Sequence, residues 1–299
     1  MDAATILLQL CLSGALVGGI YGLIAMGFVI TYRSAGVFNI AYGQFAVIGA
    51  FIAWTFIGLP SAPRLPLPLA YTLTIITAIL FGLIVERVLF RRMIGKPIFA
   101  TFMLTLGLLA VLHSLVLLIW GPSTKAIATA IPKGPVNLGG IVLAQEYIWS
   151  FTLSILVALA LILFLRNTRL GLAMRAAYED QTAARCLGVS AELNAMIAWV
   201  MCAVIATIGG ILIASVSGIS MMLSEMVLLV LAVVLIGGLD SLAGCIVGGL
   251  ILAIGHNLTS YYLGPLLPGI DGIFNMVLIL VILLVRPTGL LGVRPIERV

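Results

Sequence analysis

Apolar segments follow one another along almost the whole chain, separated by short stretches that carry the polar residues. We distinguish nine of them, at about residues 4–30, 36–58, 70–85, 98–120, 147–165, 193–217, 225–237, 245–260 and 273–285. A membrane-spanning helix needs about 17 to 25 predominantly apolar residues, which most of these segments supply. The segment at 225–237 is short enough to be half of a broken helix. The pattern therefore predicts an all-α polytopic membrane protein with eight or nine transmembrane helices.

The composition supports this assignment. Hydrophobic residues make up 63% of the chain and charged residues only 8%, whereas about a quarter of the residues in soluble domains are charged. No stretch has room for a soluble domain, so we expect residues 1–299 to form a single transmembrane domain. The opening segment lacks the basic start of a signal peptide and is expected to be retained. The four cysteines lie too far apart to suggest a metal site.

Most charged residues lie in three polar stretches, which accounts for the net charge of +5 without nucleic-acid binding. These stretches contain Glu86, Arg87, Arg91, Arg92 and Lys96, then the segment from Arg166 to Glu192, and then Arg286, Arg294 and Arg298. Positive charges beside membrane spans favour the cytoplasmic side. Counting the crossings between the stretches predicts a cytoplasmic C-terminus and an N-terminus outside. Residues 121–146 are then a partly structured external loop.

Two segments combine polar residues with glycines, which is unusual for a helix that faces lipid. They are Phe38–Gln44 (FNIAYGQ) and Gly237–Gly244 (GGLDSLAG), one early and one late in the chain. Paired interrupted helices are typical of transporters built from inverted repeats, where they contact the solute near the midplane. We therefore predict two interrupted helices and a candidate inverted repeat, with Asp240 at the end of a loop. Alternatively, the glycines only permit close helix packing.

Polar side chains inside a span usually turn toward a protein interior or a cavity. On this ground we predict a substrate pathway lined by Asn39, Tyr42, Gln44, Thr101 and Thr105. Neither His113 nor His256 has a carboxylate three or four residues away, so we expect interhelical hydrogen bonds rather than a proton relay. Glu225 is expected to cap the external end of its helix.

Small residues recur every four positions in the first span, at Gly14, Gly18 and Gly22. Such a repeat lets the backbone of a second helix come close. We therefore predict that this face packs against protein rather than lipid.

The second basic stretch contains an alanine-rich region between two glycines, which predicts one cytoplasmic helix of about four turns. A helix of this kind can be a simple connection between spans. Its small and charged side chains also suit contact with a soluble partner, and the candidate contact residues are Gly171, Arg175, Glu179, Asp180, Arg185 and Gly188.

Four segments in this order also resemble one known family. Gly22–Gly27 (GLIAMG) leads into Phe38–Gln44, which resembles that family's NFAHGE stretch. Thr168–Val189 resembles its cytoplasmic loop, of the form T-R-x-G-x-x-M-R-A. Leu235–Gly244 resembles its VGGLGSxxG segment, and Val285–Gly292 resembles its FRPxGLFG tail. The family is that of the LivH-like permease subunits of branched-chain amino acid ATP-binding cassette importers.

The resemblance implies several partners in the inner (plasma) membrane of a bacterial cell. These are two cytoplasmic ATPase subunits that contact the coupling segment, a related second permease that forms a heterodimer, an extracytoplasmic solute-binding protein and membrane lipid. It also implies import of branched-chain amino acids or of a related small polar solute such as urea, an amide or a carboxylic acid. Tyr42 and Gln44 stand where many members of the family have histidine and glutamate, so the solute need not be a standard branched-chain amino acid.

The chain has no G-x-x-x-x-G-K-[ST] loop that could hold nucleotide phosphates. We therefore expect a non-enzymatic transport subunit without its own cofactor or metal, while partner subunits use ATP-Mg. The alternative is a secondary transporter or channel, which would be expected to carry an ion-coupling carboxylate inside the membrane. The candidates Glu225, Asp240 and Asp271 all lie near predicted loops.

Overall fold

The computed structural model describes residues 3–36, 38–59, 62–138, 141–224, 226–267, 269–286 and 288–292. The α-helices in these residues are Ala3–Ala35 (α1), Tyr42–Ile57 (α2), Leu67–Val88 (α3), Ile98–Trp120 (α4), Gln145–Asn167 (α5), Arg169–Glu179 (α6), Gln181–Cys186 (α7), Ala191–Ser217 (α8), Met226–Gly237 (α9), Leu242–Tyr262 (α10) and Ile270–Val285 (α11). Short 3-10 helices occupy Phe90–Met93 and Met221–Ser224. The strands are Gly58–Leu59 (β1), Ala62–Pro63 (β2), Pro135–Leu138 (β3) and Ile141–Ala144 (β4).

Each of the nine predicted apolar segments corresponds to one helix, which confirms the all-α polytopic fold. In the described part of the chain, six helices are long and apolar enough to cross a membrane, and three shorter apolar helices accompany them. Among the short ones, α2 has 16 residues and α9 has 12. At 1.5 Å per residue they span about 24 and 18 Å, less than a hydrocarbon core of about 30 Å. Most α2 side chains are buried in protein, where a short helix need not match the lipid thickness.

Both predicted interruptions are confirmed, but each lies at a junction between two helices rather than within one. The chain leaves α1 at Gly36, whose φ is 66°, and enters α2 at Tyr42. It leaves α9 at Gly238, whose φ is 110°, and enters α10 at Leu242. Gly36 and Gly238 therefore turn the chain where an L side chain would be strained.

The predicted external loop is partly structured, as expected. Strands β3 and β4 pair antiparallel within it, and β1 pairs with β2 in the preceding short connection. Lys125, earlier in the long loop, exchanges two backbone hydrogen bonds of 2.9 Å with Ile219. Backbone pairing therefore helps to hold the loop, in which Ile127, Ile141 and Leu143 are also buried.

The chain divides into two compact units, each built from both halves of the sequence. Unit 1 comprises the described parts of residues 1–29, 131–155 and 228–299, and unit 2 comprises those of 30–130 and 156–227.

In unit 1, the first helix packs closely against α10 through the glycines of its four-residue repeat. A Cβ on Gly18 would lie 2.6 Å from the carbonyl oxygen of Gly249. Gly14 and Gly22 face the backbone of the same helix one turn to either side, at Ile254 and Ile246. The two backbones therefore meet with no room for side chains between them.

The C-terminal segment of unit 1, residues 288–292, folds back onto the end of α9. The N–H of Leu290 donates to the carbonyl of Ile236 at 2.8 Å, and the N–H of Leu291 donates to that of Gly237 at 3.0 Å. These carbonyls end a helix and have no intrahelical donor. Residues 288–292, which we call the C-terminal strap, therefore cap α9 just before its junction with α10.

Unit 2 is centred on α8, which packs against α2 and α3. Gly49 of α2 faces Thr207, and a Cβ on Gly82 of α3 would lie 2.9 Å from the carbonyl oxygen of Trp199. The Trp199 ring stacks on Phe90, with ring centres 3.8 Å apart. The buried helix α2 is thus enclosed by neighbours from distant parts of the sequence.

Candidate functional site

Unpaired polar atoms cluster at the junction between α1 and α2. Asn39 is 2% exposed, and neither its amide nitrogen nor its amide oxygen has a hydrogen-bond partner. Gln44 is 1% exposed, and its Nε2 lies 3.0 Å from Nδ1 of His113 on α4. The Oε1 atom of Gln44 is unpaired. Leaving a buried polar group unpaired costs roughly 1 to 3 kcal/mol, so these atoms call for a solute or water partner.

Helix α4 brings further polar side chains toward the same junction. The hydroxyl of Thr105 donates to the carbonyl of Phe102 at 2.8 Å and lies 3.4 Å from the carbonyl oxygen of Phe38. Thr105 is fully buried, and Thr101 is buried one turn earlier on the same helix. Tyr42, also fully buried, begins α2 beside this junction. The five predicted pathway residues thus lie on the α1–α2 junction, the start of α2 and α4.

Sequence reasoning placed His113 outside the pathway set. The structure joins it to Gln44 from 69 positions away, and it likewise pairs His256 of α10 with Asn275 of α11 at 3.2 Å. The expectation of interhelical hydrogen bonds for both histidines is confirmed. A histidine inside an apolar span indicates that a polar partner is needed, but the spacing of residues along the sequence does not identify that partner.

The segment predicted to be cytoplasmic differs from the single four-turn helix predicted for it. It forms two helices, α6 and α7, because Asp180 adopts an extended conformation between them with φ −152° and ψ 102°. Its carboxylate accepts the N–H of Ala183 at 3.0 Å. An aspartate in this position caps the N-terminus of a new helix, which competes with continuing the old one. The prediction of one helix is therefore wrong.

The residues predicted to contact a partner fall into two groups in the structure. Arg175, Glu179 and Arg185 are exposed. Gly171 is buried with its Cα against the backbone of Leu165, which leaves no space for a side chain. Gly188 has φ 84° and follows the end of α7, as expected for a helix stop. The glycines therefore shape the segment, while the charged residues form its surface.

Two contacts join the second basic stretch to other segments of unit 2. Arg91 forms an ion pair with Glu192, so the first and second basic stretches meet. The guanidinium of Arg33, at the end of α1, lies 5.1 Å from the ring centre of Tyr178 on α6. Exposed pairs of this kind contribute little stability, but they show that these segments lie next to one another.

The remaining predicted carboxylates have different outcomes. Asp240 is half-buried in the turn between α9 and α10, as expected for a loop-end residue. Glu225, expected to cap a helix, lies outside the described residues. Across the described ranges, no three His, Cys, Asp or Glu side chains come together as potential metal ligands.

Known proteins match the chain over almost its full length. Residues 10–285 match the model of a family described as the permease component of branched-chain amino acid transport systems. The high-affinity branched-chain amino acid transport permease BraD of Pseudomonas aeruginosa is 30% identical, and the alignment covers 98% of each chain. The corresponding permease LivH of Escherichia coli K12 is 29% identical, over 98% of this chain and 97% of its own.

A more distant relative comes from an archaeon. The probable branched-chain amino acid transport permease LivH of Methanocaldococcus jannaschii is 25% identical, over 95% of this chain and 93% of its own. No solved structure shows significant similarity to the chain.

Proposed function

The chain belongs to the family of branched-chain amino acid transport permeases, and from this premise we propose that it is the membrane-spanning subunit of an ATP-binding cassette importer. In this proposal, separate ATPase subunits drive solute into the cytoplasm. A related second permease and an external solute-binding protein complete the assembly. The match over residues 10–285 carries the assignment, since it covers α2 to α11 in full and α1 from residue 10 onward.

The α1–α2 junction supports a solute pathway within unit 2. Asn39 offers both a donor and an acceptor that are buried and unpaired, and Gln44 offers an acceptor. A protein interior rarely leaves such groups without partners, so their orphaned state favours occupation by water or by a passing solute. We propose that the translocated solute exchanges hydrogen bonds with Asn39 and Gln44 in turn.

The chemistry of this junction favours a small polar solute that is held by hydrogen bonds from neutral side chains. The names of the relatives point to branched-chain amino acids. Neutral side chains at Tyr42 and Gln44 also suit a related small polar solute such as urea, an amide or a carboxylic acid. We propose this class, with branched-chain amino acids as its first members to test.

The surface of α6 and α7 supports contact with the ATPases. Leu172 is 60% exposed and Leu187 is 83% exposed, although both lie in a segment predicted to be cytoplasmic. They stand among the exposed charges of Arg175, Glu179 and Arg185. Exposed apolar residues bordered by charges are typical of a protein interface. We propose that this surface receives the motion of the ATPases.

Uptake into membrane vesicles tests the whole proposal. We expect the chain to co-purify with an ATPase in fixed stoichiometry and to support leucine uptake that requires ATP and is blocked by vanadate. Uptake by this chain alone in ATP-free liposomes would instead identify a secondary transporter or channel and overturn the proposal.

Replacing Asn39 by leucine should separate transport from stability. Asn39→Leu removes two unpaired polar atoms from a buried site, so we expect an unchanged or higher melting temperature. We also expect leucine uptake to fall by about tenfold or more, because the solute loses its partner. Asn257→Leu is the matched control, since its amide donates to Ser13 at 3.2 Å and its loss should lower stability. A less stable Asn39→Leu with normal uptake would contradict a pathway role.

Replacing Arg175 should uncouple ATP hydrolysis from transport. The side chain is exposed, and its Nη2 donates to the carbonyl of Arg166 at 3.2 Å. We expect Arg175→Glu to leave assembly intact while leucine uptake per ATP hydrolysed falls about tenfold, because the substitution reverses the charge at the proposed contact. Arg169→Glu, in the first turn of the same helix, measures the effect of charge alone. Equal uptake-to-ATP ratios in wild type and Arg175→Glu would exclude this role.

A further inference from the structure

Two cations converge on one tryptophan at the end of unit 2 opposite its basic stretches. The guanidinium of Arg64 lies 5.3 Å from the ring centre of Trp54, and the ammonium of Lys125 lies 5.6 Å from it. Cations within about 6 Å of an indole ring are attracted by its electron-rich face. The two like charges are therefore no farther apart than the sum of these two distances.

The cluster of Trp54, Arg64 and Lys125 is fixed by hydrogen bonds from three segments. The indole N–H of Trp54 donates to the carbonyl of Ala126 at 3.1 Å. Arg64 donates from Nη1 to the carbonyl of Thr55 at 3.1 Å. The backbone of Lys125 is paired with Ile219 in both directions. These hydrogen bonds fix the three segments, and none of them uses the ammonium of Lys125.

Within the part of the chain that the structure describes, no acidic side chain pairs with either cation. Neither Arg64 nor Lys125 forms an ion pair among the described residues, where Arg91–Glu192 is the one ion pair recorded. The described neighbouring segments 62–66, 121–130 and 218–224 contain no Asp or Glu, and Glu225 lies outside the described residues. Two neighbouring cations without a counter-charge raise the local potential and attract an anion.

We propose that Trp54, Arg64 and Lys125 form a carboxylate-binding site at the entrance to unit 2. The inference rests on the proposed function, because an importer receives its solute from outside the cell and the end of unit 2 that carries the cluster must then face outward. The two cations attract the carboxylate, and Arg64 offers it further N–H donors. The carboxylate comes either from a free amino acid or from an acidic residue of a solute-binding protein.

The test compares a neutralised pair with a matched lysine elsewhere in the same long loop. Arg64→Gln/Lys125→Gln removes both charges, Lys133→Gln removes one charge away from the cluster, and Arg64→Lys/Lys125→Arg keeps both. A melting curve for each variant in lipid nanodiscs shows that it is folded. If the neutralised variant does not fold, Lys125→Gln alone is compared with Lys133→Gln.

The first arm titrates the nanodisc-held protein with leucine and with leucinamide, which lacks the carboxylate. We expect leucine to bind more tightly, and we expect neutralisation to raise its dissociation constant roughly five- to tenfold. Lys133→Gln and the charge-keeping variant should behave as wild type. The leucine preference should weaken between about 0.01 and 0.15 M salt, because screening shortens the reach of charges.

The second arm measures binding of the proposed extracytoplasmic solute-binding protein to the nanodisc-held protein. Salt-sensitive binding that weakens in the neutralised variant, but not in Lys133→Gln, assigns the carboxylate to that protein. Weaker binding of leucine to the neutralised variant in the first arm assigns the carboxylate to the solute. If neutralisation changes neither arm, the proposed site is refuted.

Failure of the site and failure of the importer proposal remain separate results. Carboxylate binding in nanodiscs needs no ATP, so it can persist even if vesicles show no ATP-driven uptake. Conversely, ATP-driven uptake with no change in either arm removes the site and leaves the importer.

Discussion

Gly18→Leu is expected to destabilise unit 1 severely. A Cβ at this position would lie 2.6 Å from the carbonyl oxygen of Gly249 and 2.9 Å from the Cα of Leu250. Both are backbone atoms, which cannot change rotamer to relieve the clash as a side chain can. Overpacking against backbone costs about 3 kcal/mol or more, which corresponds to a fall in Tm of roughly 6 to 12 °C. Thermal unfolding of the protein in detergent, followed by intrinsic fluorescence, measures the change.

Gly107→Leu provides the matched control for this experiment. Gly107 also lies inside an apolar helix, α4, but nothing stands within 4 Å of the position where its Cβ would be. We expect its Tm to change little, or to rise because a helical glycine is replaced. Equal Tm values for Gly18→Leu and wild type would show that α1 and α10 do not pack as described.

Gly289→Ala is expected to release the C-terminal strap from α9. Gly289 has φ 79°, and a Cβ there would lie 2.6 Å from the Cα of Gly238. The substitution therefore incurs both backbone strain and a clash, together roughly 2 to 4 kcal/mol. The carbonyls of Ile236 and Gly237 would lose their donors when the strap moves. Faster amide exchange at Leu290 and Leu291, with a lower Tm, would record the release.

Gly269→Ala is the control that measures backbone strain without a steric clash. Gly269 also belongs to unit 1 and has φ 85°, yet its Cβ would meet nothing within 4 Å. It should show only the cost of the left-handed backbone, about 1 to 2 kcal/mol. A Gly289→Ala protein no less stable than Gly269→Ala would mean that the strap does not press against Gly238.

Hydropathy predicted the helices well because the length of an apolar run directly reports a membrane span. The segment 98–120 coincides with α4, and 193–217 differs from α8 by two residues at its start. Glycine and polar residues likewise marked the two junctions. These features are local, so a single sequence displays them.

Other features depend on choices that the sequence leaves open. Asp180 can sit inside a helix or cap a new one, and only its observed extended backbone settles that α6 ends there. Gln44 and His113 are 69 positions apart, and no spacing rule joins them. Trp54 likewise gathers its two cations from separate loops. Long-range contacts of this kind emerge only when the helices are packed.

The split origin of unit 1 has a consequence for how the chain is made. Gly18 meets Gly249, which is synthesised some 230 residues later, and the strap comes later still. At a synthesis rate of 5 to 20 residues per second, α10 is made roughly 10 to 50 seconds after the glycine face of α1 that it packs against. Unit 2 ends at Val227 and has its residues available first. We therefore expect ribosome-bound chains to protect unit 2 from proteolysis before unit 1, whose assembly must await the last helices.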